Sequence, residues 1–345
     1  MADNFFQLSA SDRFDALEVA RSTSGRPSHI LEKDAWVVWS LALMFGSDFG
    51  AHLVFKGGTS LSKAYKAIRR FSEDVDLTYD VRQLVPGLPP GTGDVIPGSR
   101  SQVDKLTKAV KGLLPKWVSG KILPLIVEKL AQGALPARAR AEEEKVFIEY
   151  DPLVEGYGYV EPSVMLEFGA RSSGEPCETH SVVCDAAAYL PSLIFPEASP
   201  RVMRVERTFW EKATAAHVFC HQGIIGGEAF ARHWHDLARL DETGYAQRAL
   251  ADREIAMAVA VYKNAFFRAK DSAGSLIDYR SAVRGSLRLV PQGAALEALR
   301  ADYSEMVDEG AMLEESEPFE KLMERCFSIE ERANAESSKA SGEKQ

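Results

Sequence analysis

Apolar residues recur every three to four positions over residues 8–22 and 28–46, which predicts two amphipathic helices. Pro27 and Ser28 are a start signal for the second helix, and Gly46 is its stop. A short apolar run, Leu53-Val54-Phe55, ends at Lys56-Gly57-Gly58 and reads as a strand running into a tight turn. Leu61, Ala64, Tyr65 and Ile68 then share one face of a helix predicted over 59–68. Val75, Leu77 and Tyr79 alternate with Asp74, Asp76 and Thr78, the period of a half-buried strand. Pro86–Gly98 holds four prolines and four glycines in thirteen residues and reads as a loop. Helical spacing returns over 101–133, and strands are predicted at 146–150 and 164–168. Beyond about residue 200 the pattern is helical, over 206–221, 228–246, 251–270 and 293–332.

This order predicts an α/β (α+β) chain. A core with a small mixed sheet and N-terminal helices occupies 1–200, a helical C-terminal domain occupies 201–333, and a Ser-, Glu- and Lys-rich stretch, 334–345, is expected to be a disordered tail. With 46% hydrophobic and 26% charged residues, the composition excludes wholesale disorder and fibrous repeats. The longest apolar stretch, Ala35 to Phe45, is interrupted by Ser40 and falls short of the ~20 residues a spanning helix needs. The first residues lack the basic and apolar blocks of a secretory signal. A cytoplasmic protein with no membrane partner is therefore expected, with Cys177, Cys184, Cys220 and Cys326 as free thiols. The net charge of −9 argues against a nucleic-acid partner, but its distribution changes that picture. Residues 301–345 carry 13 acidic and 5 basic side chains, leaving 37 acidic and 36 basic in the first 300. A neutral body can carry a basic stripe. Arg69, Arg70 and the lysines of 105–121 are its candidates, as a solvated face or as a path for an RNA backbone.

The chemistry concentrates in Phe55-Lys-Gly-Gly-Thr-Ser-Leu-Ser62 and Ser72-Glu-Asp-Val-Asp-Leu77. Gly57 and Gly58 allow a tight turn and close approach to a ligand. Thr59 and Ser60 follow at a predicted helix start, where backbone N–H groups favour phosphate. Asp74 and Asp76, two apart on a strand, project from one face and can hold Mg²⁺. Each element alone is weak; a Gly-Gly-Thr-Ser turn is a common helix start, and an Asp-x-Asp pair is often merely solvated. Their succession on strand, turn, helix and strand is more specific. Glu167 is an acid within an apolar strand run and calls for a partner. His217 and His221, at helical i, i+4 spacing, have no evident third ligand for zinc.

The Gly-Ser turn followed by Asp-x-Asp resembles the signature of the polymerase-beta-type nucleotidyltransferases. Glu32-Lys-Asp-Ala-Trp36, Phe55-Lys-Gly-Gly-Thr-Ser-Leu61, Phe71-Ser-Glu-Asp-Val-Asp-Leu77, Leu166-Glu-Phe-Gly-Ala-Arg171, Arg207-Thr-Phe-Trp-Glu-Lys212 and Arg232-His-Trp-His-Asp-Leu237 resemble, in this order, the AbiEii/AbiGii toxin family and its MenT branch. The resemblance spans about residues 28–240 and implies a nucleotidyltransferase core. It implies a nucleotide-binding turn at Gly57, Gly58, Thr59 and Ser60, metal ligation by Asp74, Asp76 and Glu167, and functional roles for Lys212 and Asp236. Lys212 would offset triphosphate charge. Asp236 would orient Lys212, contact the nucleotide or accept a proton, and the sequence leaves these open.

The implied activity is Mg²⁺-dependent (or Mn²⁺-dependent) transfer of a nucleoside monophosphate from an NTP to an RNA acceptor, with the tRNA 3′ end preferred, by a toxin of a toxin–antitoxin or phage-defence system. Its partners would be the NTP, the RNA and a cognate antitoxin. The alternatives are a small-molecule nucleotidyltransferase of the aminoglycoside-modifying kind and a nucleotide-binding regulator or phosphotransferase using the same pocket.

Overall fold

The computed structural model describes residues 3–68, 70, 74–154, 161–223, 230–308 and 316–342. The chain divides into two compact units. The first comprises Met1–Ala64, Ser72–Val95 and Leu106–Met203; the second comprises Tyr65–Phe71, Ile96–Lys105 and Arg204–Gln345.

Unit 1 is built on a seven-stranded mixed sheet. Its strands are β2 (Leu53–Lys56), β3 (Asp74–Tyr79), β4 (Ala137–Glu142), β5 (Lys145–Tyr150), β6 (Ser163–Gly169), β7 (Cys177–Thr179) and β11 (Arg201–Met203), in the order β4-β5-β6-β3-β2-β11-β7. Two short pairs lie outside it: β1 (Asp3–Asn4) with β9 (Leu193–Ile194), and β8 (Val182–Val183) with β10 (Glu197–Ala198). The β3–β6 and β2–β11 pairs are parallel and the other ladders antiparallel. The period-two pattern sorts the faces of the central strands. Val75, Leu77, Val146, Ile148, Val164, Leu166 and Phe168 are buried in the core. Asp74, Asp76, Lys145 and Glu167 stand on the other face, because side chains alternate along a strand. Tyr79 stacks on Trp117 at 4.1 Å, and Tyr150 stacks on Trp36 at 5.3 Å, closing the apolar face.

The helices α1 (Ala10–Ser24) and α2 (Ser28–Gly46) match the predicted pair, and α2 buries almost its whole length. The helix α3 (Gly57–Lys63) begins at the glycine turn and is shorter than the predicted 59–68. A single turn, α4 (Val81–Leu84), precedes the Pro- and Gly-rich connection, which holds no regular element. The one helix predicted over 101–133 is α5 (Arg100–Trp117), a π-turn at Val118–Ile122 and α6 (Leu123–Gln132). Pro115 lacks the N–H for a regular i→i−4 bond and sits just before the change of hydrogen-bonding pattern. Along α5, Val103, Leu106, Val110 and Leu114 are buried while Lys105, Lys108 and Lys111 are exposed.

Unit 2 is helical: α7 (Val205–Gln222), α8 (Ala231–Glu242), α9 (Tyr245–Ala251), Arg253–Phe266, Ala294–Asp308 and Phe319–Gly342 are its longer helices. Trp210 and Trp234 are fully buried, their indole N–H groups donating to the carbonyls of Ala249 and Leu289. The last helix carries on to Gly342, through most of the stretch where the composition predicts a tail. None of the helices is long and apolar enough to cross a membrane, among the described residues.

Candidate active site

β2 ends at Lys56, and the chain turns at Gly57 with φ = +76°, a backbone conformation open to glycine without strain. A Cβ at Gly57 would stand 1.9 Å from Asp76 Oδ2, so the missing side chain is what lets this carboxylate lie against the turn. Strand register creates the approach: Lys56 is opposite Asp76, Asp76 opposite Glu167, and Glu167 opposite Lys145. Directly opposed residues project to the same face. Four adjacent strands therefore set out a row of basic, acidic, acidic and basic side chains, with Asp74 two residues from Asp76 on the same face.

Lys145 was not foreseen in the sequence. Its Nζ lies 3.1 Å from Glu167 Oε2. Its ammonium is held above the usual range: partial burial opposes the charge, and Glu167 outweighs it with help from Asp74 and Glu144. Nothing in the composition of Lys145–Tyr150 marks this lysine, because its position depends on which strand pairs with β6 and in which register. The donors offered by Asp74, Asp76 and Glu167 are all carboxylate oxygens, the chemistry that suits a hard cation such as Mg²⁺. Among the described residues, no group of three or more carboxylate, imidazole or thiol side chains is gathered closely enough to hold a metal. Of the three, Glu167 is paired with Lys145.

The hydroxyls of the turn point inward. Thr59 Oγ1 donates to the carbonyl of Asp74, and Ser60 Oγ donates to the carbonyl of Gly57 at 2.8 Å. Both residues are buried. Behind the turn, Lys63 at the end of α3 is gripped by Asp34 of α2 at 2.5 Å and by Asp185 at 2.8 Å. Burial opposes the Lys63 charge, but the two aspartates outweigh it and hold its pKa above the usual lysine range. The neighbouring motif residues serve the same frame: the Glu32 carboxylate accepts from the Leu153 N–H at 3.1 Å, and Lys33 Nζ donates to the Glu161 carbonyl at 3.0 Å.

Lys212 and Asp236 belong to unit 2, and so does Arg70. Asp236 is fully buried and takes a two-pronged pair from Arg70, Nε to Oδ1 at 2.8 Å and Nη2 to Oδ2 at 2.9 Å. Lys212 Nζ reaches its Oδ2 at 2.9 Å, and His235 Nδ1 lies 3.3 Å from Oδ1. Burial alone would raise the Asp236 pKa; Arg70 and Lys212 overturn that and hold it well below the usual carboxylate range. A carboxylate so stabilised is a poor proton acceptor. Arg70, offered by the sequence as a candidate RNA contact, is instead buried on Asp236, since a charge leaves water only when paired. Arg69 lies outside the described residues. Arg239, three residues on in the same helix, bonds Glu242 and Glu317.

The histidines play other parts. His217 and His221 stack at 4.4 Å, and His217 Nδ1 accepts from the Arg288 N–H at 3.0 Å. Burial pushes the His217 pKa down to about 3, with His221 and Arg288 adding. All four cysteines are free.

The model of the family described as "Nucleotidyl transferase AbiEii toxin, Type IV TA system" matches residues 42–325. A comparison with curated proteins finds no match. Among solved structures, the chain is similar to MenT4, a nucleotidyltransferase toxin from Mycobacterium tuberculosis H37Rv, at 18% identity and TM-score 0.40, over 95% of this chain and 99% of that one. It is also similar to a candidate nucleotidyltransferase from H. pylori at 14% identity and TM-score 0.43, over 91% and 99% of the two chains. The family match extends over most of the sequence and includes the glycine turn, the two β3 aspartates, Lys212 and Asp236; the chain belongs to the AbiEii family of nucleotidyltransferase toxins.

Proposed function

We propose that the protein transfers a nucleoside monophosphate from an NTP to an RNA acceptor, the 3′ end of tRNA, in a reaction dependent on Mg²⁺ or Mn²⁺, and that a cognate antitoxin opposes it in the cytoplasm. The observation that carries this reading is the seating of the Asp76 carboxylate against the Gly57 turn, in register with Glu167. That arrangement supports a cation held by the carboxylates beside backbone that would receive phosphate.

The residues divide the work as follows. Asp74 and Asp76, with Glu167, would hold the cation. When bound there, a divalent ion supplies charge for the phosphates and lowers the pKa of the acceptor hydroxyl. At Gly57, Gly58, Thr59 and Ser60 the phosphate contacts come from backbone N–H groups, because the Thr59 and Ser60 hydroxyls are already donating inward. Those inward bonds brace the turn against β3 and within α3. Lys212 meets the triphosphate with its compact charge. Asp236 is a positioning residue: it holds Lys212 in place from a fully buried seat and does not take the proton. The exposed Lys105, Lys108 and Lys111 supply phosphate contacts for the RNA.

The deciding experiment incubates the protein with each radiolabelled NTP, Mg²⁺ and total RNA. Labelled tRNA, lost in Asp74→Asn and Asp76→Asn variants that keep wild-type circular dichroism, is the expected result. Label on a small molecule, or no transfer with any of the four NTPs, overturns the RNA reading.

A further inference from the structure

Lys145 enters the carboxylate row from a strand that no motif marks. Its place rests on three observations. The β5–β6 register sets it opposite Glu167, and the β3–β6 register sets Glu167 opposite Asp76, so ammonium and carboxylates share one face of one sheet. The ammonium nitrogen lies 3.1 Å from Glu167 Oε2. Both side chains remain open to solvent, at 38% and 43% exposure, so the pair can part without burying a charge.

An exposed pair of this kind is worth only about 1 kcal/mol or less. A divalent cation at Asp74 and Asp76 carries twice the charge of the ammonium and repels it. The lysine is therefore weak enough to be displaced and charged enough to matter. It pairs with Glu167, the carboxylate that the proposed ligand set takes from β6.

We propose that Lys145 is a resident counter-cation of the carboxylate site, which holds Glu167 out of the metal-ligand set until a divalent ion displaces it. Divalent affinity is then set by competition with the chain's own ammonium. The inference rests on the reading of Asp74, Asp76 and Glu167 as metal ligands.

The test is calorimetric titration of the full-length protein with Mn²⁺ alone, without nucleotide or RNA. Lys145→Met removes the charge and keeps the stem; it is expected to tighten Mn²⁺ binding by about fivefold or more, the sum of a lost competing pair and a lost repulsion. Lys145→Arg keeps the charge and is expected to stay within about twofold of wild type, taking the pair's worth as the scale. Asp76→Asn is the control for the site and is expected to abolish the binding in both the wild-type and the Lys145→Met background. Unchanged or weaker binding in Lys145→Met, with binding still lost in Asp76→Asn, overturns the role of Lys145 and leaves the metal site standing. Binding that survives Asp76→Asn, or that is absent from wild type and Lys145→Met alike, overturns the metal-ligand reading and this inference with it. Circular dichroism and thermal melting of each variant identify a fold defect, and a Lys145→Met protein that fails to fold overturns the proposal in favour of a structural role.

Discussion

Removing the Asp236 carboxylate tests how the buried charges of unit 2 are arranged. Asp236→Ala deprives two cations of the carboxylate they share. Lys212 keeps 11% of its side chain exposed and can swing its flexible stem toward water. Arg70 cannot, since only 4% of its side chain is exposed and both of its bonds to Asp236 disappear. Breaking a buried pair by deleting one partner costs about 3–5 kcal/mol, because the remaining charge stays desolvated. The expected loss in unfolding free energy, measured by urea denaturation at pH 7, is in that range. The double variant Arg70→Met with Asp236→Leu exchanges the pair for apolar groups of similar size and should recover most of the loss. The sign with pH is fixed as well. The folded pKa of Asp236 is depressed, so its contribution is complete above the unfolded value of about 3.9 and fades as pH falls toward the folded one. Asp236→Ala should therefore cost least in acid. NTP affinity should fall in the same variant, since Lys212 loses its hold. A stability change below about 1 kcal/mol for Asp236→Ala would refute the buried-pair reasoning.

Gly57→Ala would drive a methyl group into Asp76 Oδ2 at a positive φ; transfer activity should drop at least about 100-fold, and near-normal turnover would contradict the seating of Asp76 against the turn. Glu32 is pushed up to about 7 by burial, which the Leu153 N–H and Arg13 only partly offset, so its ionisation costs stability as pH rises from about 4.5 to 7. Glu32→Gln keeps an oxygen for Leu153 and removes the charge; it should be more stable than wild type at pH 8 by about 1–3 kcal/mol and lose that advantage at pH 4, and parallel stability curves would count against it. Reversing Lys105, Lys108 and Lys111 together to Glu should weaken RNA modification and flatten its salt dependence while sparing NTP affinity, whereas an unaltered salt slope would place the RNA path elsewhere.

The elements that alternate or recur strongly in hydrophobicity were legible without the structure. β3, with Val75, Leu77 and Tyr79 inward, and α2, with its start at Ser28 and end at Gly46, lie where their patterns put them. β4 was missed, because its sequence Ala-Arg-Ala-Arg-Ala-Glu alternates small with charged residues and carries no large apolar side chain. It is an edge strand, where long charged side chains blunt further pairing. The single helix predicted over 293–332 is two, Ala294–Asp308 and a second starting at Phe319 just after Pro318. For the candidate site, residue types and spacing offered Gly57, Asp74, Asp76 and Glu167, and strand register brings Asp76 opposite Glu167. They could not indicate Lys145, whose place comes from pairing between strands, nor the Arg70–Asp236 pair, whose members are 166 residues apart.

Charge in this sequence is therefore a poor guide to chemistry until its burial is known. Glu32, Lys33 and Asp34 stand together in one motif and all three are buried, each tied to a different segment: Glu32 to Leu153, Lys33 to Glu161, Asp34 to Lys63 and Asp185. Two of those ties bracket the connection between β5 and β6, and the third grips the end of the helix that carries the glycine turn. A buried ion pair adds little net stability over apolar packing, but it is specific about geometry, because a shifted partner leaves a desolvated charge. That specificity is what a turn seated against Asp76 requires. Lys145 is the converse case: an ordinary half-exposed lysine by composition, it stands beside Glu167 because β5 pairs with β6 in that register, with Glu142 of β4 opposite it on its other side.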